Sequence, residues 1–147
     1  LNPAPAQPLP TDLLRKVDYL IPNQTELAQL AYPDQPNPPD TLQPAAQLVQ
    51  EMGVKNLLVT LGSDGVLVID RQHTVHLPAY TVPVVDSVAA GDAFVGAFAV
   101  ALSEGKPVLE AARWGNAAGA LSVTRHGAQP SLPTRAELTQ FLSKVTP

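Results

Sequence analysis

Apolar positions along the chain change their spacing in blocks, from every third or fourth residue to short continuous runs and back, and each change marks an element. After a proline-rich opening, Thr11 or Asp12 can cap a short helix running to about Tyr19. Leu20 and Ile21 predict a brief strand that stops at Pro22, which lacks the N–H a ladder needs. Asn23-Gln24-Thr25-Glu26 opens a helix reaching about Ala31, and the prolines between Tyr32 and Asp40 predict a surface loop. A second helix is predicted from about Thr41 to Met52, ended by Gly53 as a left-handed residue just past its C-terminus.

Asn56 to Thr60 is a short apolar run bounded by turn signals, the pattern of a buried strand. Leu61 to Gly65 turns the chain into a strand at Val66 to Ile69, and Asp70-Arg71-Gln72 forms a hairpin turn before a strand at Thr74 to Leu77. A further short strand is expected at Thr81 to Val85. From Ala90 the spacing is helical to about Glu104, where Gly105 breaks it, and Pro107 suits the first position of a helix running to about Thr124. Arg125 to Pro133 is a loop, and Thr134 with Glu137 three residues on is a capping box for a last helix. Strands alternating with helices, followed by helices alone, imply a layered α/β domain with a largely parallel sheet and one hairpin excursion.

Composition narrows the class. A length of 147 residues fits one domain or a piece of a larger one, and 45% hydrophobic with only 15% charged residues is a core-forming chain rather than a disordered one. The net charge is −4 and the basic residues are scattered, so neither a nucleic-acid surface nor a polybasic membrane patch is expected. No cysteine is present, which excludes disulfide scaffolds, zinc fingers and thiol nucleophiles. With no signal-peptide pattern and no apolar run near ~20 residues, a cytoplasmic location without a membrane span is expected. Most of the 16 prolines lie before position 45 and all nine glycines at position 53 or later. Those early prolines are interleaved with apolar residues, so the chain is expected to start inside a fold rather than on a linker.

The common catalytic signatures are missing: there is no P-loop, no G-x-G-x-x-G, no H-E-x-x-H and no G-x-S-x-G. His73, His76 and His126 lack metal-ligand spacing, and Gly115-x-x-x-Gly119 reads as close helix packing. What remains is Asp86-Ser87-Val88-Ala89-Ala90-Gly91-Asp92-Ala93-Phe94, small residues leading straight into a helix with an aspartate in its first turn. Free amides at a helix start form an anion site favoured by the helix dipole. An anion site beside a carboxylate is what phosphoryl transfer to an alcohol requires. Asp92 would take the hydroxyl proton, and the amides of Ala90, Gly91 and Asp92 would hold the developing charge. The residues by themselves favour the plainer reading, in which Asp92 caps the helix.

Asp86 to Ala97, D-S-V-A-A-G-D-A-F-V-G-A, resembles the signature of the ribokinase-like (PfkB) family of sugar kinases. Three more segments fit in the same order: the N-x-x-E of Asn23 to Glu26, the T-L-G-x-x-G of Thr60 to Gly65, and Thr124 to Ser131. The last of these, with Asn2-Pro3-Ala4-Pro5, resembles the ribose-phosphorylating branch more than the fructokinase or adenosine kinase branches. The resemblance implies a layered α/β/α fold with a mostly parallel sheet, lacking the N-terminal strands and lid, so that residues 1–147 are the C-terminal, nucleotide-binding and catalytic part of such a domain.

It also implies roles. Asp92 is the base, with Ala89, Ala90 and Gly91 shaping the anion hole. Asn23 and Glu26 lie by the phosphates of ATP, Glu26 ordering Mg²⁺ through water, although their spacing fits a capping box equally well. Thr60, Gly62 and Gly65 lie along the nucleotide, or form an ordinary strand-ending turn, and Asn116 lies against the adenine, or is an exposed helix polar residue. A monovalent cation, K⁺, is implied on the Asp86 carboxylate, the Val88, Val123, His126 and Ala128 carbonyls and Ser131, whose plainer reading is a tie between two loops.

Family members are about twice this length, and the sugar-gripping residues and the lid through which they often dimerise have no counterpart here. The implied activity is transfer of the γ-phosphoryl of ATP to the 5-hydroxyl of ribose. Another sugar or nucleoside as acceptor, and a nucleotide-binding module without turnover, are the alternatives.

Overall fold

A computed structural model describes residues 1–39 and 41–145. The chain divides into two units, Leu1–His76 and Leu77–Pro147. Asp40, the last residue of the predicted loop, lies outside the described residues.

The first unit is a four-stranded sheet in the order β1-β2-β3-β4, formed by β1 (Tyr19–Leu20), β2 (Asn56–Thr60), β3 (Val66–Ile69) and β4 (Thr74–Leu77). The β1 and β2 strands run parallel, with Leu20 opposite Leu57, and the crossover between them carries the helices α2 (Gln24–Ala31) and α3 (Leu42–Glu51). The β3 strand runs antiparallel to β2, Leu57 opposite Ile69 and Thr60 opposite Val66, so the sheet in this unit is mixed. Leu57, Val59, Leu67 and Ile69 alternate along their strands and share one core with Leu20, Leu27, Leu30 and Val49. Leu20, Val49, Leu57 and Val59 are fully buried, and each such side chain contributes ~1.5–3 kcal/mol relative to exposure.

The helix expected from Thr11 or Asp12 to Tyr19 is only one turn, α1 (Thr11–Leu14), with Pro10 at its cap and no side-chain cap bond. Beyond it the sheet takes over: Asn56 Nδ2 donates to the Asp18 carbonyl at 2.8 Å, and Lys55 pairs with the Asp18 carboxylate at 2.7 Å. Strand pairing outweighs the weak propensity of a short helix.

The second unit is helical: α4 (Ala90–Ser103), α5 (Val108–Ser122) and α6 (Arg135–Lys144). A β-carbon on Gly115 would come within 2.8 Å of the Phe94 ring, so this glycine lets α5 approach α4, whereas one on Gly119 would meet the Ala90 carbonyl at 3.4 Å, an ordinary contact distance. Phe94 stacks on Phe98, with ring centroids 6.2 Å apart. Leu138 and Phe141 dock α6 on Ala117 and Ala118 of α5, with Phe141 edge-on to Tyr80 at 5.2 Å. Lys106 and Arg135 lie over the Trp114 ring, Lys106 paired with Glu110 and Arg135 with Glu104.

Two sequence expectations fail here. Thr81 to Val85 is not a strand, because the Val85 and Asp86 amides donate to the Val123 carbonyl at 2.7 and 3.2 Å, a helix end rather than a neighbouring strand. Pro107 is the cap rather than the first helical residue, its carbonyl accepting the Ala111 amide at 2.9 Å. Among the described residues no helix is long and apolar enough to cross a membrane.

Candidate functional site

Asn23 caps α2, its Oδ1 accepting the Glu26 amide at 2.8 Å while Glu26 Oε2 accepts the Asn23 amide at 2.8 Å. The capping box is therefore real. It leaves the two Nδ2 donors of Asn23 and Glu26 Oε1 without a partner among the described residues, at a helix start where anions are favoured. The Thr60 amide donates to the Pro22 carbonyl at 3.0 Å, and Asn23 and Thr60 form a parallel bridge. The N-x-x-E helix and the T-L-G-x-x-G turn thus sit together at the C-terminal ends of two parallel strands, the usual ligand end of such a sheet.

The turn closes on itself: the Leu61 amide donates to the Gly65 carbonyl at 2.8 Å, and the Gly65 amide to the Gly62 carbonyl at 3.2 Å. Gly65 sits at φ 98°, ψ −130°, a conformation that essentially only glycine adopts. Sequence reasoning assigned nothing to His76. Its Nε2 lies 2.6 Å from the Asp64 carbonyl and buttresses the turn from β4.

In the second unit, both oxygens of Asp86 are engaged, Oδ1 by the Val88 amide and Oδ2 by the Gly127 amide, each at 3.0 Å. These two amides hold its carboxyl below the usual carboxylate range. Ala89 caps α4 in the left-handed region at φ 64°, a conformation costing roughly 1–2 kcal/mol for a residue with a β-carbon. The Ala90 amide is not free as expected from the sequence: it donates to the Ser87 carbonyl at 3.3 Å. The Gly91 and Asp92 amides, in the first turn of α4, have no partner among the described residues. The Asp92 carboxylate is exposed, and no side-chain bond caps α4. A plain capping role for Asp92 therefore has no support in the geometry.

The residues named for a cation gather around Asp86. The Val123 carbonyl accepts the Val85 and Asp86 amides, and the fully buried Ser131 donates its hydroxyl to the Ala128 carbonyl at 2.7 Å. The Val88 and His126 carbonyls have no donor among the described residues. All these donors are oxygens, a set that suits a hard monovalent cation. Among the described residues no group of three or more histidine, aspartate or glutamate side chains could hold a metal. Asn116, half-buried on α5, donates its Nδ2 to the Leu77 and Pro78 carbonyls at 3.2 Å, leaving Oδ1 open. Sequence reasoning also passed over Arg125, whose Nη2 meets Glu137 Oε1 at 2.6 Å. No local pattern announces a contact between residues twelve apart.

Known proteins resemble this chain in sequence and in fold. The chain is 41% identical over 142 residues to a ribokinase of Haemophilus influenzae, covering 97% of this chain and 46% of that one. It is 37% identical over 147 residues to a deoxyribokinase of Salmonella typhi, covering 97% and 47%. Among solved structures, the ribokinase of Thermotoga maritima matches with TM-score 0.89 and 46% identity, over 97% of this chain and 48% of that one. Arabidopsis thaliana ribokinase complexed with ribose and ATP matches with TM-score 0.82 and 37% identity, over 92% and 44%. A Vibrio cholerae fructokinase double mutant in fructose, ADP and potassium ion bound form matches at 0.77 and 29%, over 89% and 42%. The chain thus spans about half the length of the relatives it matches. The pattern of the pfkB family of carbohydrate kinases matches residues 1–135, and the chain belongs to that family.

Proposed function

We propose that residues 1–147 are the C-terminal, nucleotide-binding and catalytic part of a kinase that moves the γ-phosphoryl of ATP to the 5-hydroxyl of ribose. The observation that carries the reading is the exposed Asp92 carboxylate beside the two unpartnered amides of Gly91 and Asp92. In this reading Asp92 accepts the sugar hydroxyl proton as the oxygen bonds to the γ-phosphorus and the bond to the bridging oxygen of ADP breaks. The Gly91 and Asp92 amides hold the charge on the phosphoryl oxygens, and donors of this kind contribute ~10²–10³-fold in rate. Ala89, strained at the start of the helix, aims them.

Asn23 Nδ2 donates to the phosphates of ATP. Thr60, Gly62 and Gly65 carry the nucleotide along the turn, and Asn116 Oδ1 accepts from the adenine amine. Mg²⁺, when bound, neutralises phosphate charge, with Glu26 Oε1 holding one of its waters. The open Val88 and His126 carbonyls, together with Asp86, Val123, Ala128 and Ser131, would hold K⁺, whose charge would order the loop before α4. A potassium-bound relative supports this cation, and a cytoplasmic location fits the need for ATP.

Coverage of about half the relatives' length favours a second reading, a nucleotide-binding module without turnover of its own. The likeness to a deoxyribokinase favours deoxyribose as a second acceptor. Calorimetric titration with ATP–Mg²⁺, beside a coupled assay with ribose or deoxyribose and K⁺, separates these. The full reading expects ATP binding, and expects ribose-dependent ADP release once the chain is joined to the remaining length of its relatives. Binding without release even then leaves the module reading standing. Failure of the folded chain to bind millimolar ATP overturns both.

A further inference from the structure

We propose that Glu137 and Arg125 are positioning residues that hold the cation loop in place, an inference that rests on the K⁺ reading above. Glu137 uses its two oxygens for different tasks. Oε2 closes the capping box of α6, accepting the Thr134 amide at 2.7 Å and the Thr134 hydroxyl at 2.8 Å. Oε1 accepts from Arg125 Nη2 at 2.6 Å, and capping alone does not need that bond. Both side chains are a little over one-third exposed, enough shielding for a charge-assisted bond to hold its geometry.

Arg125 begins the segment that carries the His126 and Ala128 carbonyls and Ser131. Two residues on, the Gly127 amide reaches Asp86 Oδ2, and Asp86 Oδ1 accepts the Val88 amide one residue before the strained Ala89. A continuous line of bonds therefore runs from α6 through Arg125 and Gly127 to the start of α4. The helix at its origin is anchored by Leu138 and Phe141, so the line begins on a fixed element. A group that orients ligands from behind changes ion affinity without touching the ion.

Glu137→Gln separates the two tasks, because the one amide oxygen of glutamine can keep the capping box only by turning its NH2 towards Arg125, and two donors form no bond. The test is thermal unfolding of the full chain followed by circular dichroism, titrating KCl against tetramethylammonium chloride at constant ionic strength. The wild-type chain is expected to gain melting temperature with K⁺. Glu137→Gln and Arg125→Gln are each expected to raise the K⁺ midpoint roughly tenfold, the lower end for groups of this kind. The double variant should match the single ones, because either change breaks the same bond. A wild-type chain indifferent to K⁺ fells the cation reading and this inference with it. A wild-type response with midpoints unchanged in the two variants overturns this inference alone. Should Glu137→Gln not fold, Arg125→Gln, which leaves the capping box intact, decides the question.

Discussion

At the residue scale, Asp92 stands apart from the other acidic groups at the start of its helix. Asp86 has both oxygens bonded to amides, whereas Asp92 has no partner among the described residues. A carboxylate in the first turn of a helix normally serves that helix, so one left idle is available to a substrate. In a kinase of full family length carrying these residues, Asp92→Asn is expected to lower turnover by roughly 10²–10⁴-fold. Calorimetry should show ATP affinity essentially unchanged, and surviving turnover would remove Asp92 as the base. Ala89 makes a second residue-level case, since its φ of 64° is imposed on a side chain that disfavours it. Ala89→Gly relieves that strain and loosens the unfolded chain, with a net stabilisation of about 0.5–1 kcal/mol in urea unfolding. A loss of stability would mean that the left-handed turn is not strained.

At the element scale, the cap of α2 and the packing face of α5 can each be tested by single substitutions. Asn23 caps α2 with Oδ1 and offers Nδ2 outward, so two substitutions divide the functions. Asn23→Asp keeps the cap and puts a second oxygen where phosphate would lie. It should leave the melting temperature near wild type and weaken ATP binding. Asn23→Ala should lose both, with about 1 kcal/mol of stability. Equal ATP affinity for wild type and Asn23→Asp would remove Asn23 from the phosphates. On α5, Gly115 has the Phe94 ring where a β-carbon would go. Gly115→Val should destabilise the chain by about 1–3 kcal/mol through overpacking, read from denaturant unfolding, and an unchanged midpoint would show that the two helices can separate at no cost.

At the scale of the whole chain, carboxylates in both units are held by donors and kept acidic. Gln72 and His73 amides lower Asp70, Lys55 lowers Asp18, the Val88 and Gly127 amides lower Asp86, and Arg135 lowers Glu104. Arg125, followed by Thr134, lowers Glu137 from 4.5 to about 2. A group whose carboxyl is more acidic folded than unfolded contributes stability above its unfolded value and loses it as pH falls toward its folded one. The urea midpoint should therefore fall steadily from about pH 5 towards pH 2, and a flat profile would mean that these bonds do not form in solution. Much of this chain could be read before any coordinates. The β2, β3 and β4 strands, both capping boxes and the N-x-x-E, T-L-G-x-x-G and A-A-G-D segments depend on neighbours within a few residues, which the sequence states directly. Other features needed the folded chain. The helix at Thr11 shrinks because β2 draws Asp18 and Tyr19 away, and the run at Thr81 fails as a strand because its amides meet the end of α5. Ala90 loses its amide to Ser87, and Arg125 finds Glu137 twelve residues on. Local chemistry is written in consecutive residues. Which donor satisfies which acceptor across the fold is settled only when packing brings distant segments within hydrogen-bond reach.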